Sequence, residues 1–259
     1  MGCIEAGTTV EIIRLTHSNG IASARHLPAD RVKALSRDPL TRSANVLAAL
    51  FHEGAMVLES DNDRAFYQEI NHRLVAQGEG APSCLFLNAQ NKQTVQRIIM
   101  PLRSLGIPAA AIVDIDVLKE GGTVWGNFLD GGNVPEVTRK SLEIGRAHLA
   151  SRTKEAWKDL KRHGIDALGA DDKSACEDLF RQLAVYGLFV APVGELERWL
   201  PALGIGGKAP EWLVAMLDRL GADPMAQDYV GPATGDVWDF LRGIAAWLAD
   251  PLRKGMGEA

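Results

Sequence analysis

Two acidic groups in this chain are placed to do chemistry together: Glu59-Ser60-Asp61-Asn62-Asp63-Arg64 and Asp114-Ile115-Asp116. Each directly follows a short apolar run that reads as a buried strand, Ala55 to Leu58 and Ala109 to Val113. Glu59 and Asp63 span a strand-to-helix turn. Asp114 and Asp116, as alternate residues of an extended chain, would present two carboxylates to one side. Carboxylates gathered this closely repel one another unless they are protonated or share a cation. Ligation by oxygen alone selects Mg²⁺ or Mn²⁺. Such an ion polarises a phosphodiester, activates water and stabilises the leaving oxygen. Acids at strand ends also serve as caps and solvated turns, and Asp63 could be the N-cap of the helix that follows. Two such groups in one small unit favour the metal site over that plainer role.

Asn88, Gln90, Asn91 and Lys92 follow a further strand, Cys84 to Leu87, at the same edge. Asn91 and Lys92 are candidates to contact nucleic-acid phosphate; the alternative is a polar loop. Nothing resembles a Ser or Cys nucleophile elbow, and the six histidines show no metal-ligand spacing.

The elements that must hold these residues have a clear rhythm between 55 and 118. Strand, helix (Asp63 to Val75, with Phe66, Ile70 and Leu74 on one face), strand, helix (Thr94 to Leu105) and strand follow in turn. Pro101 should kink or shorten the second helix, and Gly106 is placed to end it. This order implies a parallel sheet with right-handed crossovers. Ligands of such sheets bind outside the carboxyl ends of the strands, where both acidic groups fall.

Upstream, residues 8 to 27 read as a hairpin turning at Ser18-Asn19-Gly20. Asn45 to Phe51 reads as a short helix with Val46, Leu47, Leu50 and Phe51 on one face. Downstream, residues 135 to 185 have a charged helical pattern, Tyr186 to Val190 returns to a strand, and Glu195 to Leu200 forms a turn of helix. Two further helices lie near Glu211 to Leu220 and Asp236 to Leu248. The division is a β-rich lead-in (1–43), an α/β core (44–134), a helical insertion (135–185), and completion of the core with C-terminal helices (186–259). Trp199, Trp212, Trp238 and Trp247 fall in helical patterns that suit core packing rather than base stacking.

The chain has 259 residues, 46% hydrophobic and 24% charged, with a net charge of -5. This length can bury a sizeable core. The charge does not advertise nucleic acid as a partner, although carboxylates that bind cations would hide part of such a signal. Cys3, Cys84 and Cys176 are too scattered for a disulfide framework or a zinc site. Reduced thiols and a cytoplasmic location are expected. Met1-Gly2-Cys3 hints at lipidation, but Ala6 stands where a myristoylation signal needs Ser or Thr. No stretch has the ~20 apolar residues of a membrane span.

Glu59, Asp63 and Asp114-Ile115-Asp116 resemble the TOPRIM signature, in which a Glu follows one strand and a DxD follows a later one. The wider text is similar to the OLD (overcoming lysogenization defect) family of ATP-dependent endonucleases. The similar stretches are Ala49 to Gly54, Glu59 to Tyr67, Leu105 to Pro108, Val113 to Asp116, Gly187 to Val190 and Val193 to Glu197. Together they span residues 44 to 200, with a weaker continuation beyond. The resemblance implies a TOPRIM-like sheet flanked by helices, with two Mg²⁺ or Mn²⁺ ions and DNA as substrate. It also implies Glu195 and Glu197 as ligands of the second ion, and a lysine near the scissile phosphate. Lys254 fits the order of that lysine and Lys208 is its rival; the plainer role for Glu195 and Glu197 is a charged first helical turn.

The chain departs from the family at Ser60, where glycine is usual. It also has no GxxxxGK[ST] loop, since Gly204-Ile205-Gly206-Gly207-Lys208-Ala209 lacks both the spacing and the hydroxyl. The ATPase of such a system would then be a separate domain or subunit. A homo-oligomer is expected, and a role in defence against phage is implied by the resemblance alone. Cleavage of RNA or tRNA, and a degenerate TOPRIM module serving in interaction or regulation, are the competing functions.

Overall fold

The computed structural model describes residues 9–18 and 21–256. The expected turn at Asn19-Gly20 and the segment Met1-Gly2-Cys3 lie outside those residues. The protein is α/β, built on a four-stranded parallel sheet with helices on both faces.

The chain opens with an antiparallel hairpin of β1 (Ile12–Ser18) and β2 (Ile21–Leu27). Two short helices follow, α1 (Ala29–Arg37) and α2 (Pro39–Ser43). The lead-in is therefore half helical rather than β-rich. Pro28 and Pro39 punctuate a charged stretch of which only Val32 buries a side chain within α1, so no apolar period announces the helix. Val46–Phe51 is a 3-10 helix. Its tighter pitch turns Val46, Leu47 and Ala49 inward and leaves Phe51 88% exposed. That corrects the expected α-helical face, which had Phe51 inside.

The parallel sheet contains β3 (Gly54–Leu58), β4 (Cys84–Asn88), β5 (Ala109–Val113) and β6 (Leu188–Val190), in the order β4-β3-β5-β6. Helix α3 (Asp61–Ala76) links β3 to β4, and α4 (Val95–Ser104) links β4 to β5. Pro101 sits inside α4, which runs on to Ser104; Leu105 is its C-cap, and Gly106 follows with φ of +71°. The strands read as near-continuous apolar runs because both faces are covered. Ala55, Val57, Ala109, Ala111, Val113, Leu188 and Val190 point into a core with α4. Met56, Leu58, Phe86, Ala110, Ile112 and Phe189 point into the opposite core, with α3 and the C-terminal helices.

Chain order reverses direction between β3 and β5. The chain leaves β3 toward β4 on one side and returns to pair β5 on the other. This is a topological switch point, the crevice where open α/β sheets bind ligands.

Helix α5 (Gly122–Gly131) follows β5. It escapes a period search because three of its ten residues are glycine, yet Trp125, Phe128 and Leu129 anchor it. The insertion consists of α6 (Glu136–Arg152), α7 (Trp157–His163) and α8 (Ala170–Ala184). Leu196–Arg198 and Pro201–Leu203 form two 3-10 turns in place of the single helical turn expected. Helices α9 (Glu211–Leu220) and α10 (Asp236–Ala249) complete the second core, and Trp199, Trp212, Trp238 and Trp247 are all buried within it.

Buried Arg103 ties the far edge together. Its guanidinium donates to the carbonyls of Ala109, Tyr186 and Gly255 at 2.7 to 3.0 Å, joining the starts of β5 and β6 to the C-terminal segment. Cys84 and Cys176 are free thiols. Among the described residues no helix is long and apolar enough to cross a membrane.

Candidate functional site

Glu59 is the first residue beyond β3, and Asp114 is the first beyond its neighbour β5. The switch point sets them side by side. The Asp114 backbone N–H donates to Glu59 Oε1 at 2.9 Å, although the two residues are 55 apart in sequence. Ser60 caps α3: its Oγ accepts from the Asp63 N–H at 3.2 Å and donates to Asp63 Oδ2 at 2.7 Å. Asp63 is therefore not the N-cap. It sits at the third helical position, held by the cap in the manner of a capping box. Ser60 has φ of -142°, an extended conformation open to any residue, so nothing in this backbone requires the glycine usual in the OLD family.

Asp114 and Asp116 come together differently from the extended pair expected. The chain turns into a 3-10 helix at Ile115–Lys119, which buries Ile115 and carries Asp116 in its first turn. Asp116 nevertheless stays close enough to Glu59 and Asp114 to raise the proton affinity of both.

The energetics follow from burial. Desolvation is the largest influence on Glu59 and pushes its carboxyl up to about 7, against the partly compensating hydrogen bond from Asp114. Desolvation, then repulsion from Glu59, Asp63 and Asp116, raises Asp114 to about 8, while Lys161 pulls the other way. Within such a pair the repulsion falls on whichever acid ionises second. Asp63 is also raised, by burial against its two hydrogen bonds with Ser60, and Glu197 adds to the rise.

Lys92 is drawn into this cluster. Its Nζ lies 2.7 Å from Asp116 Oδ1 and 3.1 Å from Glu120 Oε1, with only 13% of the side chain exposed. Asp116 Oδ1 is buried and makes no aligned hydrogen bond, so this contact is an ion pair without hydrogen-bond geometry. Burial alone would lower the Lys92 ammonium, but the two acids outweigh it and the group ends above its ordinary value. Asn91 turns to local work instead, accepting from Thr94 Oγ1 at 3.1 Å. Beneath the cluster, buried Tyr67 accepts from Trp199 Nε1 at 2.9 Å. Its hydroxyl is held well above the usual range, first by burial and then by Asp63.

The loop after β6 brings Glu195 and Glu197 to the same edge. Glu197 Oε1 accepts from the Ala209 N–H at 2.8 Å, and Glu195 pairs with Lys208. Lys254 is not brought there. It adjoins Gly255, which Arg103 fastens to the starts of β5 and β6. The length of a five-residue strand, roughly 16 Å at ~3.3 Å per residue, separates that edge from Asp114. The lysines that do stand near the carboxylates are Lys92, Lys161 and Lys208.

Sequence reasoning passed over Lys161. It lies on α7, which docks against the loop after β6 through two glycines. Gly164 (φ +64°) and Gly194 (φ +86°) have no room for a Cβ: one built on Gly164 would stand 2.0 Å from the Pro192 carbonyl oxygen. The Ile165 N–H donates to that same carbonyl at 2.9 Å. Glycines at Gly164 and Gly194 were the available signal, but neither names its partner.

Among the described residues, no three acid, His or Cys side chains already converge at ligand distance of one point. Instead, three of the four carboxylates are engaged by the site's own groups: Glu59 by a backbone N–H, Asp63 by Ser60 and Asp116 by its ion pair with Lys92. The donor set suits a hard divalent cation, since the acids are all-oxygen, mutually repelling and partly desolvated. Comparison with protein-family models, with curated proteins and with solved structures returns no match for this chain.

Proposed function

We propose that this chain is a divalent-metal-dependent nuclease of TOPRIM type, hydrolysing phosphodiester bonds of DNA. The observation that carries this reading is the meeting of Glu59 and Asp114 at the β3/β5 switch point, with Asp63 and Asp116 beside them. Burial and repulsion hold protons on Glu59 and Asp114 near neutral pH. A cation bound there would displace those protons and make the cluster favourable. Mg²⁺ or Mn²⁺ would supply water activation and stabilisation of the leaving oxygen.

Glu59, Asp114 and Asp116 would hold the first ion, with Asp63 beside it. Glu197, close enough to Asp63 to raise its proton affinity, and Glu195 would serve a second. Lys92 balances the charge of Asp116 in the metal-free protein and is the nearest ammonium to receive a phosphate oxygen once an ion takes its place. The resemblance to OLD-family endonucleases supports the same reading and adds an ATPase domain or subunit as partner, with phage defence as the biological setting.

The test is nicking of supercoiled plasmid, beside digestion of total tRNA, with Mg²⁺ or Mn²⁺ against EDTA. Metal-dependent cleavage of plasmid is expected. Cleavage of tRNA alone would move the substrate to RNA, and persistence of cleavage in EDTA would remove the metal from the chemistry.

A further inference from the structure

Beside the carboxylate cluster, a hollow of about 620 Å³ is lined by Lys119, Trp157, Lys158, Lys161, Arg162 and Glu195. In a chain of net charge -5, four of these six residues are cations. Lys158, Lys161 and Arg162 recur at the helical spacing that places them on one face of α7, and all three are exposed. Lys119 faces them from the 3-10 turn that carries Asp116, its ammonium 4.2 Å above the Trp157 ring. Among the described residues none of the four is in a salt bridge, whereas Glu195, the single acid of the lining, is already taken by Lys208. Leaving several like charges unpaired on one wall costs stability, a cost that a polyanion would offset.

We infer that this wall seats the sugar-phosphate backbone of the nucleic-acid strand whose phosphodiester reaches Asp114. The inference deepens the nuclease reading and rests on it for the choice of polyanion. Two features give the strand its path. Lys119 of the lining shares the 3-10 turn Ile115–Lys119 with Asp116, and Glu195 also lines the hollow, so the hollow adjoins the cluster. The C-terminus of α7 is fixed to the loop after β6 by Gly164, Gly194 and the Arg198 Nε bond to the Arg162 carbonyl at 2.7 Å. The cations are thus mounted on the same edge as the acids. Trp157 is buried to 9% exposure and forms the floor, leaving no ring face for a base to stack on. Recognition is therefore of phosphate, independent of base sequence.

The experiment is fluorescence anisotropy of a labelled 20-nucleotide single strand, as DNA and as RNA of the same sequence, in EDTA so that nothing is cut. Lys119→Ala, Lys158→Ala and Arg162→Ala are combined, sparing Lys161 beside the cluster. The control combines Arg31→Ala, Lys33→Ala and Arg37→Ala on exposed positions of α1. The wall variant should bind at least ~10-fold more weakly, with the slope of log affinity against log salt reduced by about 2. The control should bind like wild type, and a scrambled sequence should bind equally well.

Equal binding by the wall variant, equal loss in the control, or no binding by wild type overturns the inference. Binding lost in the wall variant with no cleavage in Mg²⁺ or Mn²⁺ would leave the wall standing and sink the nuclease reading. Metal-dependent cleavage that survives in the wall variant would do the reverse.

Discussion

Asp114→Asn should make the metal-free protein more stable at pH 8 while leaving it nearly unchanged at pH 4. The folded state raises the Asp114 carboxyl from 3.8 to about 8, chiefly by burial and then by repulsion from Glu59. A raised acid means that the folded protein keeps a proton the unfolded chain has released. The contribution to stability is therefore full below about pH 4, falls as pH rises toward 8, and is flat beyond. At about 1.4 kcal/mol per unit, a shift of this size sets an upper limit of roughly 6 kcal/mol. Water reaching the partly exposed side chain reduces this, and about 2 kcal/mol is the expected gain for the variant at pH 8. Glu59, raised to about 7, adds a second slope that the variant retains in part. The assay is urea unfolding in EDTA at pH 4, 6 and 8, compared as the difference between variant and wild type so that titrations remote from the cluster cancel. A difference independent of pH, or a variant less stable at pH 8, would refute the placement of Asp114 in a desolvated acidic cluster.

Lys92→Met should destabilise the metal-free protein by about 2 kcal/mol at pH 8, because it strands Asp116 and Glu120 without their cation; thermal melts in EDTA would show it. Ser60→Ala should cost about 1 kcal/mol through loss of the α3 cap and free Asp63 from its anchor, read by urea unfolding. Arg103→Leu should cost about 3 kcal/mol by leaving the buried carbonyls of Ala109 and Tyr186 without a donor, and should raise proteolytic cutting near Gly255, whose carbonyl would keep only the bond from Asn133.

The acids at β3 and β5 were legible because a buried strand writes its end plainly: an apolar run stops at a charge, as at Leu58-Glu59 and Val113-Asp114. That these strands are neighbours followed only from the parallel order β4-β3-β5-β6, which local pattern does not fix. Asp116 stands beside Glu59 and Asp114 because the 3-10 turn Ile115–Lys119, which buries Ile115, carries it there, and strand alternation does not foresee that turn. Helix α5 stayed hidden behind its glycines, and α1 behind its charges. Lys254 fits the order and rough distance along the chain that the resemblance implies, but neither says which sheet edge a residue reaches; the Arg103 bridge puts its segment at the opposite one. The cationic wall was invisible for a similar reason. Its cations are ordinary surface residues until Gly164 meets Pro192 across the insertion.

The central claim is that Glu59 and Asp114 give up protons to hold a catalytic divalent ion, and calorimetric titration of metal-free protein with Mn²⁺ at pH 6.5 tests it most directly. Repeating the titration in buffers of different ionisation enthalpy counts the protons released. With Glu59 at about 7 and Asp114 at about 8, wild type should bind the ion and release roughly one to two protons for each ion bound. The combined Glu59→Gln and Asp114→Asn variant should show neither. Mn²⁺ binding of equal affinity in that variant, or binding by wild type without proton release, would contradict the account.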